Sequence, residues 1–147
     1  MTTSTRQRTQ PARATRRFGY VVSIIVNGAI LYAANRWPGW DALPFLTAET
    51  PQVLGIVNAS LVAGIVANVV YLAWDPPRLK ALGDLVTLAI GIAAMVQIWQ
   101  VFPFDFSGSS FPWETVSRVL LGVGIGGSAI AVIVALVTIV RGGPRRD

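Results

Sequence analysis

Four long apolar runs, each closed by proline, glycine or charged residues, set the pattern of the chain. They cover about residues 18–37, 52–74, 79–101 and 114–140. At 1.5 Å per residue, a 20-residue helix crosses roughly 30 Å, the hydrocarbon thickness of a bilayer. The stops are physical. Pro38-Gly39 ends the first run and Asp75-Pro76-Pro77 the second, because consecutive prolines cannot continue the hydrogen-bond ladder. Phe102-Pro103-Phe104 ends the third, and Arg141-Gly142-Gly143-Pro144 follows the fourth. Thr50 stands where it can cap the second helix, with Pro51 in its first turn. Pro112 and Glu114 mark the start of the fourth, an acid being favourable there. The short link between the second and third runs makes them antiparallel neighbours. The pattern predicts an all-α integral membrane four-helix bundle, antiparallel and up-down, with short connections.

Composition agrees with a lipid environment. Of 147 residues, 53% are hydrophobic and only 13% charged, with a mean hydropathy of +0.58. About a quarter of an average soluble sequence is charged. The expected organisation is a disordered basic tail over 1–17, a membrane domain over 18–141 and a second short tail over 142–147. The first tail is Arg-rich and acid-poor, as a transit peptide would be, but it runs directly into a full-length span. The apolar run from Phe18 is also longer than a signal-peptide core.

Charge then orients the spans. Ten of the twelve basic residues fall on one side of the four-span arrangement: the amino tail, Arg78 and Lys80, and Arg141, Arg145 and Arg146. Arg36 and Arg118 lie on the other side with Asp41, Glu49, Asp105 and Glu114. The positive-inside rule therefore puts both termini in the cytoplasm of a cell-membrane protein. The basic tails should attract anionic lipid headgroups, at about 1 kcal/mol per residue near the surface. The net charge of +5 has this membrane explanation, and no reader motif points to nucleic acid. Trp37, Trp40, Trp74, Trp99 and Trp113 sit at span ends, where interfacial rings are favoured. The Arg-, Ala- and Val-rich usage fits a bacterial genome of high GC content.

Cysteine and histidine are both absent. Thiolate catalysis, disulfides, Cys/His zinc sites and histidine-held haem are thereby excluded. No cofactor and no enzyme are expected, since no paired acids or nucleophile–base set share a face. Chemistry that remains must rest on intramembrane polar groups. Asp84 is the only acid within a span, and a carboxylate at a helix centre costs about 2.5–3.5 kcal/mol. Lys80 precedes it by four residues and can pair with it on one helix face. Asp84, Thr87, Gly91, Ala94 and Gln97 form one small-and-polar stripe. Ser60, Gly64, Asn68 and Tyr71 form another on the second helix, with Asn58 off it, and Asn27 lies near the centre of the first. The possible polar cluster is therefore Asn27, Asn68, Asp84, Thr87 and Gln97, acting as interhelical glue or lining a permeation route.

The fourth span contains Gly122-Val-Gly124-Ile-Gly126-Gly127-Ser128. This matches a dinucleotide fingerprint as a string, but it lacks the strand–turn–helix context that the fingerprint requires. Gly122 and Gly126 instead form a G-x-x-x-G helix-packing pair, with Gly124 and Ser128 on an adjoining small face. Glu114 and Arg118 form an i,i+4 surface pair. Small multidrug exporters share this size and span count and carry a glutamate in mid-first-span. Asn27 stands nearest that place here and cannot ionise. Two functions follow as expectations. The first is a non-enzymatic component that self-associates or binds a larger membrane partner; the alternative is an oligomeric transporter or channel for ions or small solutes.

Overall fold

The computed structural model describes residues 13–74 and 76–141. Four helices account for most of them: α1 over Arg13–Asn35, α2 over Pro51–Ala73, α3 over Pro77–Val101 and α4 over Trp113–Arg141. All four are long and apolar enough to cross a membrane. A short 3-10 turn over Trp40–Ala42 interrupts the α1–α2 loop. The protein is all-α, as the apolar pattern predicts.

Several boundaries differ from the sequence reading. α1 begins at Arg13 rather than Phe18, so the last five residues assigned to the basic tail are helical. A helix nucleated by a long apolar span propagates cheaply, and alanine and arginine are good helix formers. The rest of that tail, residues 1–12, and the tail over 142–147 lie outside the described residues. α3 starts two residues early, with Pro77 at its first position. α1 ends at Asn35, ahead of Trp37-Pro38, because the residue before a proline disfavours the helical region. Thr50 is not the side-chain cap that its position predicts. Its backbone is already helical, and its hydroxyl donates to the Thr47 carbonyl at 2.7 Å.

Among the described residues each helix packs on its neighbours in the chain: α1 on α2, α2 on α3, and α3 on α4. Among the described residues α1 and α4 make no contact, so the bundle is open between its first and last helices. Burial is correspondingly sparse. Among the described residues Tyr71 and Pro103 are the only sizeable buried ones, beside Thr50, Val53, Ala81, Ala94 and Ala135. Small residues at the contacts let backbones approach closely, which is how helices associate when lipid removes the hydrophobic drive between them. On α1 the sense of burial is inverted. Tyr20, Ser23 and Asn27 turn inward while Phe18, Ile25 and Ile30 are exposed.

α4 meets α3 through a face other than the glycine pair singled out from sequence. Its less exposed positions include Ser117, Leu121, Gly124, Ser128, Ala131, Ala135 and Thr138, spaced alternately by four and three. That is the seam of a left-handed helix pair. A Cβ on Gly124 would stand 2.8 Å from the Met95 sulfur, whereas one on Gly126 would have nothing within 4 Å. Gly122 only grazes Trp99, at 4.0 Å. Four-residue spacing identified Gly122 and Gly126 as a packing pair, but which small face meets α3 depends on the rotation of α4.

At the end away from the α2–α3 turn, the two longer loops pair with each other. Leu46 and Phe104 form an antiparallel bridge. The Thr47 amide donates to the Pro103 carbonyl at 3.0 Å, and the Asp105 amide to the Phe45 carbonyl at 2.8 Å. Phe102 terminates α3 in the left-handed region, with φ 44°. Arg118 lies 4.2 Å from the Phe102 ring centroid and 5.3 Å from that of Trp99 while pairing with Glu114 at 3.4 Å. The i,i+4 pair thus also ties α4 to the end of α3 by cation–π attraction.

These contacts predict opposite behaviour for two glycines on one helix. In monomeric protein in detergent, Gly124→Leu should lower unfolding stability by about 1–3 kcal/mol, the usual penalty of overpacking. Gly126→Leu should change it by less than about 0.5 kcal/mol. Equal losses would reject the assigned face.

Candidate functional site

The intramembrane polar residues assemble along α2, which faces α1 on one side and α3 on the other. At the α1–α2 contact Ser23 is the hub. Asn27 Nδ2 donates to the Ser23 carbonyl at 2.8 Å and to its Oγ at 3.2 Å. Asn68 Nδ2 donates to the same Oγ at 3.1 Å and to the Gly64 carbonyl at 2.7 Å. Gly64 faces the same junction: a Cβ there would make ordinary contact with the Asn27 amide, at 3.5 Å. Nearer the paired loops, Asn35 and Asn58 exchange two 2.8 Å hydrogen bonds. Asn58, off the main stripe, thus has its own partner on α1. Each such bond contributes about 0.6 kcal/mol in a membrane interior.

Tyr71 carries the seam across to α3. Its side chain is buried, its ring centroid is 5.5 Å from that of Tyr20, and its hydroxyl reaches both Asp84 Oδ1 and the Lys80 carbonyl at 3.1 Å. A single hydroxyl hydrogen serves these two acceptors, so it is shared between them. Lys80 Nζ lies 2.6 Å from Asp84 Oδ2 and 5.3 Å from the Tyr71 ring centroid. Both carboxylate oxygens are therefore engaged, one by an ammonium and one by a phenol. The spacing of Lys80 and Asp84 predicted the first partner. Nothing in the spacing predicted the second.

The approach of α2 to α3 depends on Gly83. A Cβ at that position would run into the Tyr71 hydroxyl and ring. Thr87 turns its hydroxyl back onto its own helix, 3.0 Å from the Gly83 and Asp84 carbonyls. Gln97 stands apart from the others. Its Nε2 donates to the Gln52 carbonyl at 2.6 Å, near the other end of α2 and α3. Of the five polar positions grouped from sequence, Asn27 and Asn68 share one junction, Asp84 and Thr87 belong to another, and Gln97 is separate. Ser23, Tyr20 and Tyr71 complete the arrangement. Tyr71 was visible as the last member of the α2 stripe, but its partners depend on the register between helices.

The ion pair sits near one end of the span. Asp84 is seven residues into α3, about 10 Å along the axis. The Lys80 and Asp84 side chains are 42% and 39% exposed. A pair so open to its surroundings contributes at most about 1 kcal/mol. On its α4 side it borders a groove of about 720 Å³ whose lining includes Thr87, Leu88, Val134 and Thr138. Chemically, this arrangement gives the carboxylate a counter-ion in Lys80 and a hydrogen-bond donor in Tyr71. The groove gives that carboxylate one lateral approach.

The fold and seam define a class: a small multi-pass membrane protein with polar residues at its helix contacts. A stretch of 100 residues is 32% identical to the MFS-type transporter sphD of Aspergillus fumigatus (strain CBS 144.89 / FGSC A1163 / CEA10). It covers 64% of this chain and 15% of that protein, so the chain corresponds to a small part of the transporter's length. No family model matches the chain. No solved structure matches it either.

The Tyr71–Gly83 contact generates a coupled prediction. Gly83→Ala alone should destabilise the protein by about 1–3 kcal/mol, because Tyr71 must move. In a Tyr71→Phe background, which removes the colliding hydroxyl, the same change should cost measurably less. Equilibrium unfolding in mixed micelles of the two single variants and the double variant gives the coupling energy, expected to be 0.5 kcal/mol or more. Simple additivity would place Tyr71 elsewhere.

Proposed function

We propose that this protein is a non-enzymatic membrane component that works by associating with other membrane helices, a second copy of itself or a larger partner. One observation carries this reading: among the described residues α1 and α4 do not meet, so each keeps an open side. On α4 that side presents Gly122, Gly126 and Gly127 among exposed Val119, Val123 and Ile130. Glycines among large apolar side chains form a shallow groove into which another helix backbone fits closely. Lipid tails fill such a groove less well than a complementary helix does.

Further details belong to the same proposal. The protein resides in a cell membrane with both termini in the cytoplasm, on the strength of the basic-residue bias, and its Arg-, Ala- and Val-rich usage favours a bacterial one. Arg13, Arg16 and Arg17 border a recess of about 190 Å³ at the carboxyl end of α2, beside Trp74. Anionic lipid headgroups are the partner that such a cluster attracts at a membrane surface.

A second reading is a small-solute or ion transporter working as an oligomer. The partial similarity to an MFS-type transporter favours it, as does the lateral groove beside Asp84. The engaged state of the carboxylate favours the first reading, because a transporting group must exchange its partners during the cycle.

Flux separates the two readings, because both allow self-association, while oligomeric state tests the first directly. Sedimentation equilibrium in density-matched detergent should show reversible self-association of the parent, or a stable complex with a co-purifying membrane protein. Gly126→Leu should weaken that association at least tenfold, about 1.4 kcal/mol, while leaving monomer stability unchanged. A parent that stays monomeric and unaccompanied would contradict the association, and proteoliposome ion flux abolished by Asp84→Asn would replace this proposal with the transporter.

A further inference from the structure

The paired loops border an open recess that neither reading of the helices uses. It measures about 700 Å³, and its lining includes Phe45, Phe104, Asp105, Phe106, Trp113 and Ser117. That volume falls in the range of small-molecule sites, about 300–1,000 Å³. Its walls are fixed by the bridge between Leu46 and Phe104 and by the hydrogen bonds on either side of it.

The lining has a definite sign. Among its residues Asp105 is charged and none is basic. The Ser107 backbone N–H donates to Asp105 Oδ1 at 2.9 Å; with the Ser107 hydroxyl, it holds this carboxyl below the usual carboxylate range. The group is therefore ionised at neutral pH and keeps its charge into mild acid. The Phe45, Phe104 and Phe106 ring centroids lie 5.8–6.5 Å from one another, with planes 13–33° from parallel. Rings packed at this spacing form one apolar, π-rich wall of the recess. Glu114, in the first turn of α4, offsets the positive end of that helix. Beside the recess, Phe102 holds the cation Arg118 over its ring and meets Phe104 edge-on at 5.2 Å.

We propose that this recess is a binding site for an organic ammonium ion, its charge held by Asp105 and its alkyl or aryl groups by the phenylalanine faces. A carboxylate and π faces together favour a cation with an apolar body over either a bare metal ion or a neutral hydrocarbon. Two sources carry that chemistry: a free amphiphilic ammonium and the ammonium headgroup of a lipid. The site stands whether the protein associates with partners or transports, because it draws on neither Asp84 nor the open side of α4.

The test is calorimetric titration of the full chain, in maltoside micelles that contain no ammonium, with benzyltrimethylammonium. Saturable one-to-one binding is expected. Asp105→Asn should weaken it at least tenfold, although asparagine Oδ1 still accepts the Ser107 amide, and Phe106→Leu at least threefold. Neopentylbenzene, the uncharged isostere, should not bind saturably. Competition by dihexanoylphosphatidylcholine would identify a lipid headgroup as the source. Its failure to compete would identify a free cation, and either outcome supports the site. Absence of saturable binding overturns it, as do equal binding by neopentylbenzene and an unchanged affinity in both variants.

Discussion

The hydroxyl of Tyr71, shared between Asp84 and the Lys80 carbonyl, is the contact on which the rest of the arrangement depends. In a bilayer no water satisfies a polar group at a helix contact, so each such group constrains where the next helix can lie. Tyr71 applies that constraint in two directions. Its ring rests against Tyr20 of α1, and its phenol reaches α3 across a gap that Gly83 alone keeps clear. The Ser23–Asn68 bond, one turn away along α2, fixes the rotation of α1. α2 is therefore the organising helix, and α4 joins last through the small-residue face on which Gly124 meets Met95.

This physical order explains what could be read from the sequence. Number, type and approximate ends of the helices follow from local chemistry: apolar length, proline stops and interfacial tryptophans. The Lys80–Asp84 pair follows too, because i,i+4 neighbours meet on any helix. Side chains on different helices meet only when rotation and register are both known, and neither is local. Ser23 gave no reason to expect that it would bridge Asn27 and Asn68, and Thr50 looked like a cap until its hydroxyl turned to Thr47. Gly122 and Gly126 show the same limit. Their spacing marks a small face, but Gly124 meets the neighbour within the chain. The loop recess was not legible, because two loops distant in sequence form it by pairing.

An arrangement held by sequential contacts has an unusual consequence for a four-helix chain. A closed bundle satisfies each helix twice, whereas here α1 and α4 are each satisfied once. The Phe45–Phe104–Phe106 group and the Leu46–Phe104 bridge tie the α1–α2 and α3–α4 loops together at one end without bringing the outer helices into contact. The open sides and the proposal of association with other helices rest on this same feature.

Distances between spin labels test it most directly, and a chain without cysteine makes the labelling specific. Val22, Val69, Val86 and Ile133 lie on α1 to α4 in turn, and their side chains are all exposed. The register of the helix contacts puts them at similar depth. Labelled pairs diluted with unlabelled protein in bilayers report separations within one chain. The account predicts that Val22–Ile133 exceeds Val22–Val69 by at least one further interaxial spacing, about 8–10 Å. Equal separations for the two pairs would mean that α1 packs against α4, contradicting both the open arrangement and the function proposed from it.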